Sequence, residues 1–315
     1  MFCLHQSLEK FSSIQVVFLL RAIYRPINVY CLTVDTNAGE TFLQAALDVA
    51  KCLPNVFVAS RLERIVYAGF SRLQADINCM GDLLQHPVRW RYVINMPGQQ
   101  FPLRTNLELV RIIKTLNGTN DVEGSTDAIV EERFALYILK IVMFLFAGED
   151  KVFGSGMRNP DPPHGIQIVK GSAYSTLSRE FVQFALSDKV ARDFLEWLKD
   201  VYSPDEYFWA TLQYAKNMNV PGGFKGPAEK KPWLTSFAKW SCMTHCKTKE
   251  VRGVCILSPE DLPDLLHQPA LTVNKFYIDH HPAALHCLDE FLYNLTVFNI
   301  TRDFSFYEHL GRFNS

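Results

Sequence analysis

Apolar positions recur at two spacings in the first third of the chain. Residues 28–34 (NVYCLTV), 55–59 (NVFVA) and 91–96 (RYVINM) are short, largely apolar runs that predict buried strands. Between them, residues 41–50 and 71–84 carry helical spacing. Residues 105–116 form another helical pattern, with Leu107, Leu109, Val110, Ile112 and Ile113 mostly on one side and a stop at Asn117-Gly118. Strands alternating with helices of this length predict an α/β chain with a mostly parallel, Rossmann-like sheet. No repeat or low-complexity tract interrupts the pattern.

The middle is less regular. Residues 159–165 (NPDPPHG) read as a turn, and residues 166–169 and 173–177 as strands on either side of Gly171-Ser172. Residues 187–201 read as one amphipathic helix carrying Phe194, Trp197 and Leu198, and 219–233 as a Gly/Pro/Lys loop. A strand over 252–257, a short helix opened by Ser258-Pro-Glu-Asp and a helix from Pro282 to about Tyr293 complete the set. The longest apolar run, 134–147, is about 14 residues and contains Lys140, short of the roughly 20 that span a bilayer. The opening Met-Phe-Cys-Leu-His-Gln lacks the basic and apolar regions of a signal peptide.

One stretch organises the rest: YSPDEYFWATL, residues 202–212. Ser203 suits an N-cap, Pro204 the first helical position, and Glu206 falls three residues after the cap. Glu206 is therefore either the return arm of a capping box or a rigidly held general base at a cleft edge.

At 315 residues and 48% hydrophobic content the chain can bury one large core or two. A net charge of −1 provides no field for nucleic acid or anionic lipid, so any partner must be argued from a site. Eight cysteines and three sequons, at Asn117, Asn294 and Asn299, hint at an oxidising compartment. GxGxxG, Walker, HExxH and zinc-spaced Cys/His patterns are missing, and His280-His281 reads as structural. No Asp-x-Asp follows a strand to hold a metal against a diphosphate, so a departing diphosphate would need side-chain cations.

Seven blocks, in order, resemble the core-2 and I-branching β-1,6-N-acetylglucosaminyltransferases: LRAIY (20–24), VFVAS (56–60), SRLQAD (71–76), FPLRTNLE (101–108), GSAY (171–174), YSPDE (202–206) and VNKF (273–276). The likeness runs from about residue 14 to 292. It implies a catalytic domain over 14–292, an atypical segment over 1–13 and a tail over 293–315. It further implies a GT-A-like fold, UDP-GlcNAc as donor, an O-glycan galactosyl or GalNAc acceptor, inversion, no metal or other cofactor, and residence in the Golgi lumen. Membrane association would come only through an anchor absent from this chain.

By position, the resemblance makes Glu206 the catalytic base and gives Arg252 and Lys275 the UDP diphosphate. Asp35 and Tyr67 resemble uridine- and ribose-side contacts, and Glu123, Arg133 and Trp240 acceptor-sugar contacts. It pairs Cys31 with Cys79 and Cys246 with Cys255, and leaves Cys52 and Cys287 matched to cysteines whose partners lie upstream. Cys242 falls where the family has an acceptor-binding tyrosine. The chain departs from the family around Val130, where a lysine is replaced, over the apolar run after Arg133, and in the short loop between Trp240 and Cys246. Before Ser12, where the family has its first strand, stands QSLEKF, so the sheet is expected to lack that strand. That expected loss motivates two rivals: a non-catalytic scaffold that binds sugar or a partner enzyme, and a xylosyltransferase-like activity on the same fold.

Overall fold

The computed structural model describes residues 2–6, 13–129, 132–135, 138–139, 152–154, 159–308 and 310. Its first half winds β1 (Phe2–Gln6), α1 (Ser13–Ile23), β2 (Tyr30–Val34), α2 (Glu40–Cys52), β3 (Val56–Val58), α3 (Phe70–Gln85) and β4 (Tyr92–Pro97) into one sheet. Then come β5 (Phe101–Pro102), α4 (Asn106–Thr115), α5 (Glu132–Ala135), β6 (Ile138–Leu139), β7 (Phe153–Gly154), β8 (Thr176–Ser178), α6 (Arg179–Ser187), α7 (Lys189–Trp197) and α8 (Phe208–Gln213). The last part holds β9 (Ser236–Ala238), β10 (Glu250–Val251), β11 (Val254–Cys255), α9 (Leu262–Leu266), β12 (Thr272–Asn274), α10 (Pro282–Val297) and α11 (Ser305–Glu308).

The main sheet has the order β3-β2-β1-β4-β8, parallel except for β8 against β4. The α/β, mostly parallel expectation holds. The missing first strand does not: β1 lies in the middle, pairing β2 on one side and β4 on the other. The strand ends at Gln6, the first residue of the QSLEKF stretch, so it takes in residues ahead of the place where a strand was sought.

Successive residues of β2 face opposite ways, as a pleat requires. Tyr30, Leu32 and Val34 enter a core with α1, α4 and α10, whereas Cys31 enters a second with α3, α6, α7 and α8. A disulfide joins Cys31 to Cys79 on α3, and another joins Cys246 to Cys255. A smaller sheet, β5-β12-β9, packs against the first core. The tail is held by Arg302, which donates to Glu108, and by Tyr307, whose hydroxyl accepts from Arg104 Nε at 2.8 Å. No helix among the described residues is long and apolar enough to cross a membrane.

Other local expectations are corrected by tertiary contacts. Residues 166–169 form no strand; Val169 is tied to the Thr211 hydroxyl, and an isolated bridge pairs the next residue, Lys170, with Ser125. The strand expected over 173–177 begins only at Thr176. The helix expected over 187–201 starts after Asp188, whose carboxylate accepts from the Val190 and Ala191 amides, and ends at Trp197 before a 3-10 turn. Residues 252–257 are not one strand, because Arg252 (φ 54°) and Gly253 (φ 74°) turn the chain between β10 and β11. The helix expected to stop near Tyr293 continues to Val297. Val130 and most of the apolar run 134–147 lie outside the described residues.

Candidate active site

The order β3-β2-β1-β4 places the topological switch point between β1 and β4, and ligands of open α/β sheets bind beyond the carboxyl ends of the strands there. Asp35 follows directly on β2. Its Oδ1 accepts from the Asn37 and Ile65 amides at 2.9 and 3.2 Å, while buried Oδ2 has no hydrogen-bond partner among the described residues. Burial pushes this carboxyl up, against the two amides. By holding Ile65, Asp35 also fixes the segment that carries Tyr67.

Tyr67 meets the second half of the site. The Arg252 guanidinium lies 3.9 Å from the centre of its ring. Arg252 sits in the β10–β11 turn, which the Cys246–Cys255 disulfide closes. Lys275, nearly buried, reaches the same hairpin by donating from Nζ to the Val251 carbonyl at 3.1 Å. The two expected diphosphate cations therefore meet at one hairpin, Arg252 on its turn and Lys275 bonded to its Val251 carbonyl. Trp240, 45% exposed, lays its ring against Gly253: a Cβ there would lie 3.8 Å from Cε3. The structure thus sets Trp240 beside the Arg252 turn.

The expected capping box at Glu206 does not form. Ser203 adopts a left-handed conformation (φ 53°, ψ 56°) and its side chain caps nothing, whereas a capping serine needs an extended backbone. A tertiary contact decides this: the Ser203 amide donates to the Ala68 carbonyl at 2.8 Å. Residues 204–206 then make a 3-10 turn, with the Glu206 amide donating to the Ser203 carbonyl at 3.0 Å. The six-residue α8 follows, too short to be stable alone. Burial secures it, since every residue from Phe208 to Gln213 is inside.

On its other flank the Glu206 carbonyl accepts from the Gly171 amide at 2.7 Å. That approach requires glycine, because a Cβ on Gly171 would fall 2.2 Å from the Glu123 carbonyl oxygen and 2.9 Å from Ala210 Cβ. Glu123, Gly171 and Glu206 are thereby packed backbone to backbone. Burial pushes the Glu123 carboxyl up; Lys170 opposes this and Glu206 adds to it.

The Glu206 carboxylate has two cations on one oxygen. Arg133 Nη1 donates to Oε2 at 2.6 Å, and Lys170 Nζ stands 3.4 Å from it. Arg133 also lies 5.2 Å from the Tyr202 ring centre. Tyr202 joins the halves of the site: burial raises its hydroxyl pKa, and it stands close enough to Tyr67, Arg133, Glu206 and Arg252 to be shifted by each. Contacts thus run from Asp35 to Ile65 and from Tyr67 to Arg252 on one side, and from Tyr202 through Arg133 to Glu206 on the other, with the charges around Tyr202 coupling the two.

Sequence reasoning gave no role to Tyr202, Lys170 or Arg72. Tyr202 opens the YSPDE block and Lys170 immediately precedes GSAY, so proximity to those blocks was the available signal. Charge pattern alone reveals neither. The sequon residues Asn117, Asn294 and Asn299 are all exposed. Cys52, Cys242 and Cys287 are exposed and unpaired among the described residues. No group of three or more His, Cys, Asp or Glu side chains among those residues is placed to hold a metal ion.

Comparison with known proteins agrees with this arrangement of blocks. The profile of the family described as Core-2/I-Branching enzyme matches residues 13–266. The chain is 36% identical over 301 residues to human beta-1,3-galactosyl-O-glycosyl-glycoprotein beta-1,6-N-acetylglucosaminyltransferase 3, covering 92% of this chain and 66% of that protein. It is 40% identical over 288 residues to a Bos taurus beta-1,3-galactosyl-O-glycosyl-glycoprotein beta-1,6-N-acetylglucosaminyltransferase, covering 87% and 65%. To human N-acetyllactosaminide beta-1,6-N-acetylglucosaminyl-transferase it is 39% identical over 279 residues, covering 86% and 67%. The chain spans about two thirds of the length of these relatives. On the profile match and on these identities, the chain belongs to the Core-2/I-branching enzyme family.

Proposed function

We propose that this chain transfers N-acetylglucosamine from UDP-GlcNAc, with inversion, to a 6-hydroxyl of a galactosyl or GalNAc residue on an O-glycan, in the Golgi lumen. One observation supports the reading: Lys275 reaches the hairpin that carries Arg252, Arg252 lies against Tyr67, and Tyr202, in contact with the Arg133 that holds Glu206, is electrostatically coupled to both Tyr67 and Arg252. The names of the relatives supply the β-1,6 linkage and the GlcNAc group.

In this reading the acceptor 6-hydroxyl attacks C1 of the sugar as its proton passes to Glu206. The C1–oxygen bond to the diphosphate breaks, and the electron pair leaves on the β-phosphate oxygen. Arg252 and Lys275 neutralise that charge, which assigns to side chains the work a metal would otherwise do. Asp35 fits the donor's nucleoside end, because its buried Oδ2, without a partner among the described residues, asks for an N–H or O–H. Tyr67 flanks the same end. Arg133 and Glu123 meet the acceptor near the base, and the Trp240 face suits a sugar ring further out. A central β1 removes the ground for a non-catalytic scaffold, which rested on a missing strand.

Incubating the purified chain with UDP-GlcNAc and a Gal-β1,3-GalNAc acceptor in excess EDTA tests the reading. The expected result is a β-1,6-linked GlcNAc product, with turnover lowered about 10²–10⁴-fold by Glu206→Gln. A Glu206→Gln variant as fast as the unaltered chain would refute the assignment of the base.

A further inference from the structure

Three of the blocks noted in the sequence converge behind the candidate base. SRLQAD supplies Arg72 and Asp76 from α3, GSAY supplies Tyr174, and YSPDE supplies Asp205, the residue before Glu206. Arg72 is shared between two acids: Nη1 donates to Asp76 Oδ2 at 2.8 Å, and Nε stands 3.9 Å from Asp205 Oδ2. Asn95 on β4 donates to the same Asp76 oxygen at 3.0 Å and to the Ala173 carbonyl at 2.9 Å, tying the cluster to the sheet and to the segment that ends in Tyr174. The group is almost wholly enclosed, with the Arg72 and Asp205 side chains only 11% and 12% exposed.

Resting on the transferase reading above, we propose that Arg72 is a positioning residue: by holding Asp205 it fixes the 3-10 turn that aims the Glu206 carboxylate at the acceptor hydroxyl. The turn has few other anchors. Its backbone is fixed at Ser203 by Ala68 and at Glu206 by Gly171; Pro204 and Asp205 between those points are both buried, and of the two Asp205 is the one that can take a charged partner. Ala68 lies just before α3 and Arg72 in its first turn, so one helix start governs both ends of the contact. The charged and titratable groups facing Asp205 are Arg72 and Asp76 on α3, Tyr174 before β8, and Glu206 on its own turn. Arg72 is the cation among them. A buried carboxylate deprived of it would have to rotate outward or stay neutral. Rotation would carry the adjacent Glu206 with it, and a displacement of about 1 Å at a reacting group costs up to roughly 10²-fold in rate.

The test compares Arg72→Gln, Arg72→Lys and Asp205→Asn with the unaltered chain in two measurements. Amide hydrogen exchange reads the turn directly. In Arg72→Gln the Glu206 and Tyr207 amides should lose protection about tenfold or more, while those in the middle of α3 keep theirs. Steady-state transfer should show kcat lowered roughly 10–100-fold with the KM for UDP-GlcNAc unchanged, and Arg72→Lys should recover part of it. Asp205→Asn, which keeps the shape, covers the case in which Arg72→Gln fails to fold; it should loosen the same two amides. Turn amides as protected in Asp205→Asn and Arg72→Gln as in the unaltered chain would overturn the inference, whether or not the chain transfers sugar. So would a loss confined to KM. Loosened amides in a chain that transfers nothing would instead uphold the positioning role and reject the transferase reading.

Discussion

The Gly171 amide donates to the Glu206 carbonyl at 2.7 Å, and the space that permits it is occupied on the far side by the Glu123 carbonyl. The geometry makes Gly171 a spacer between two carboxylate-bearing segments. In Gly171→Ala the new methyl would lie 2.2 Å from that oxygen, so backbone must move. Turnover is expected to fall at least tenfold and stability by about 1–3 kcal/mol. Gly81 on α3 is the control, since a Cβ there meets nothing within 4 Å and alanine should stabilise the helix by about 0.5–1 kcal/mol. Urea unfolding of both variants decides the matter, and a neutral Gly171→Ala would contradict the packing.

Arg252 and Lys275 are expected to act in donor binding. Arg252→Ala and Lys275→Ala should each raise the KM for UDP-GlcNAc and shrink the thermal shift produced by UDP. Tyr67→Leu removes the ring under Arg252 and should weaken UDP binding only a few-fold, in line with a partly exposed cation–π contact of about 0.5–1 kcal/mol. An unaltered UDP shift in Arg252→Ala would remove that residue from the donor site.

Asp205 makes stability depend on pH in an unusual direction. Burial, against Arg72 and with Glu206 and Asp76 adding to it, pushes its carboxyl up to about 6 from 3.8. Between about pH 4 and 6 the unfolded chain has lost this proton and the folded chain keeps it. The folded state then binds more protons, so this group's contribution to stability falls as pH rises through that window and is level above it. The drop is on the order of 1–3 kcal/mol. Asp205→Asn should flatten it, measured as the difference between the two urea-unfolding curves at pH 4, 5, 6 and 7. Curves that stay parallel across the range would show that Asp205 does not titrate there.

The two disulfides should separate in their effects. Removing Cys31–Cys79, which closes a 48-residue separation between β2 and α3, is expected to cost about 4 kcal/mol of stability and to leave UDP binding intact in the folded fraction. Removing Cys246–Cys255, a nine-residue separation around the Arg252 turn, should cost less stability yet weaken UDP binding. Paired Cys→Ser variants, followed by thermal unfolding with and without UDP, check both halves. Equal effects on UDP binding would argue that the hairpin needs no tether.

Much of this architecture can be read along the chain because local and long-range signals agree. The apolar run that ends at Val34 becomes β2 and leaves Asp35 at the strand's mouth, and Thr105 with Glu108 forms a capping box at the start of α4. Where a distant contact overrules a local preference, the signal fails. Ser203 has the spacing of a cap, but capture of its amide by Ala68 forces a left-handed backbone. Phe2–Gln6 is only five residues long, too short for its own pattern to mark it as a strand; its neighbours β2 and β4 make it one. Tyr202 escapes notice for a related reason, since its importance arises from Tyr67 and Arg133, which are remote in sequence.

The position of β1 has a practical corollary. β2 and β4 do not pair with each other, so loss of Phe2–Gln6 would split the sheet along its midline rather than shorten an edge. A proteolytic cut within Phe2–Gln6 should therefore be as damaging as one deep inside the domain.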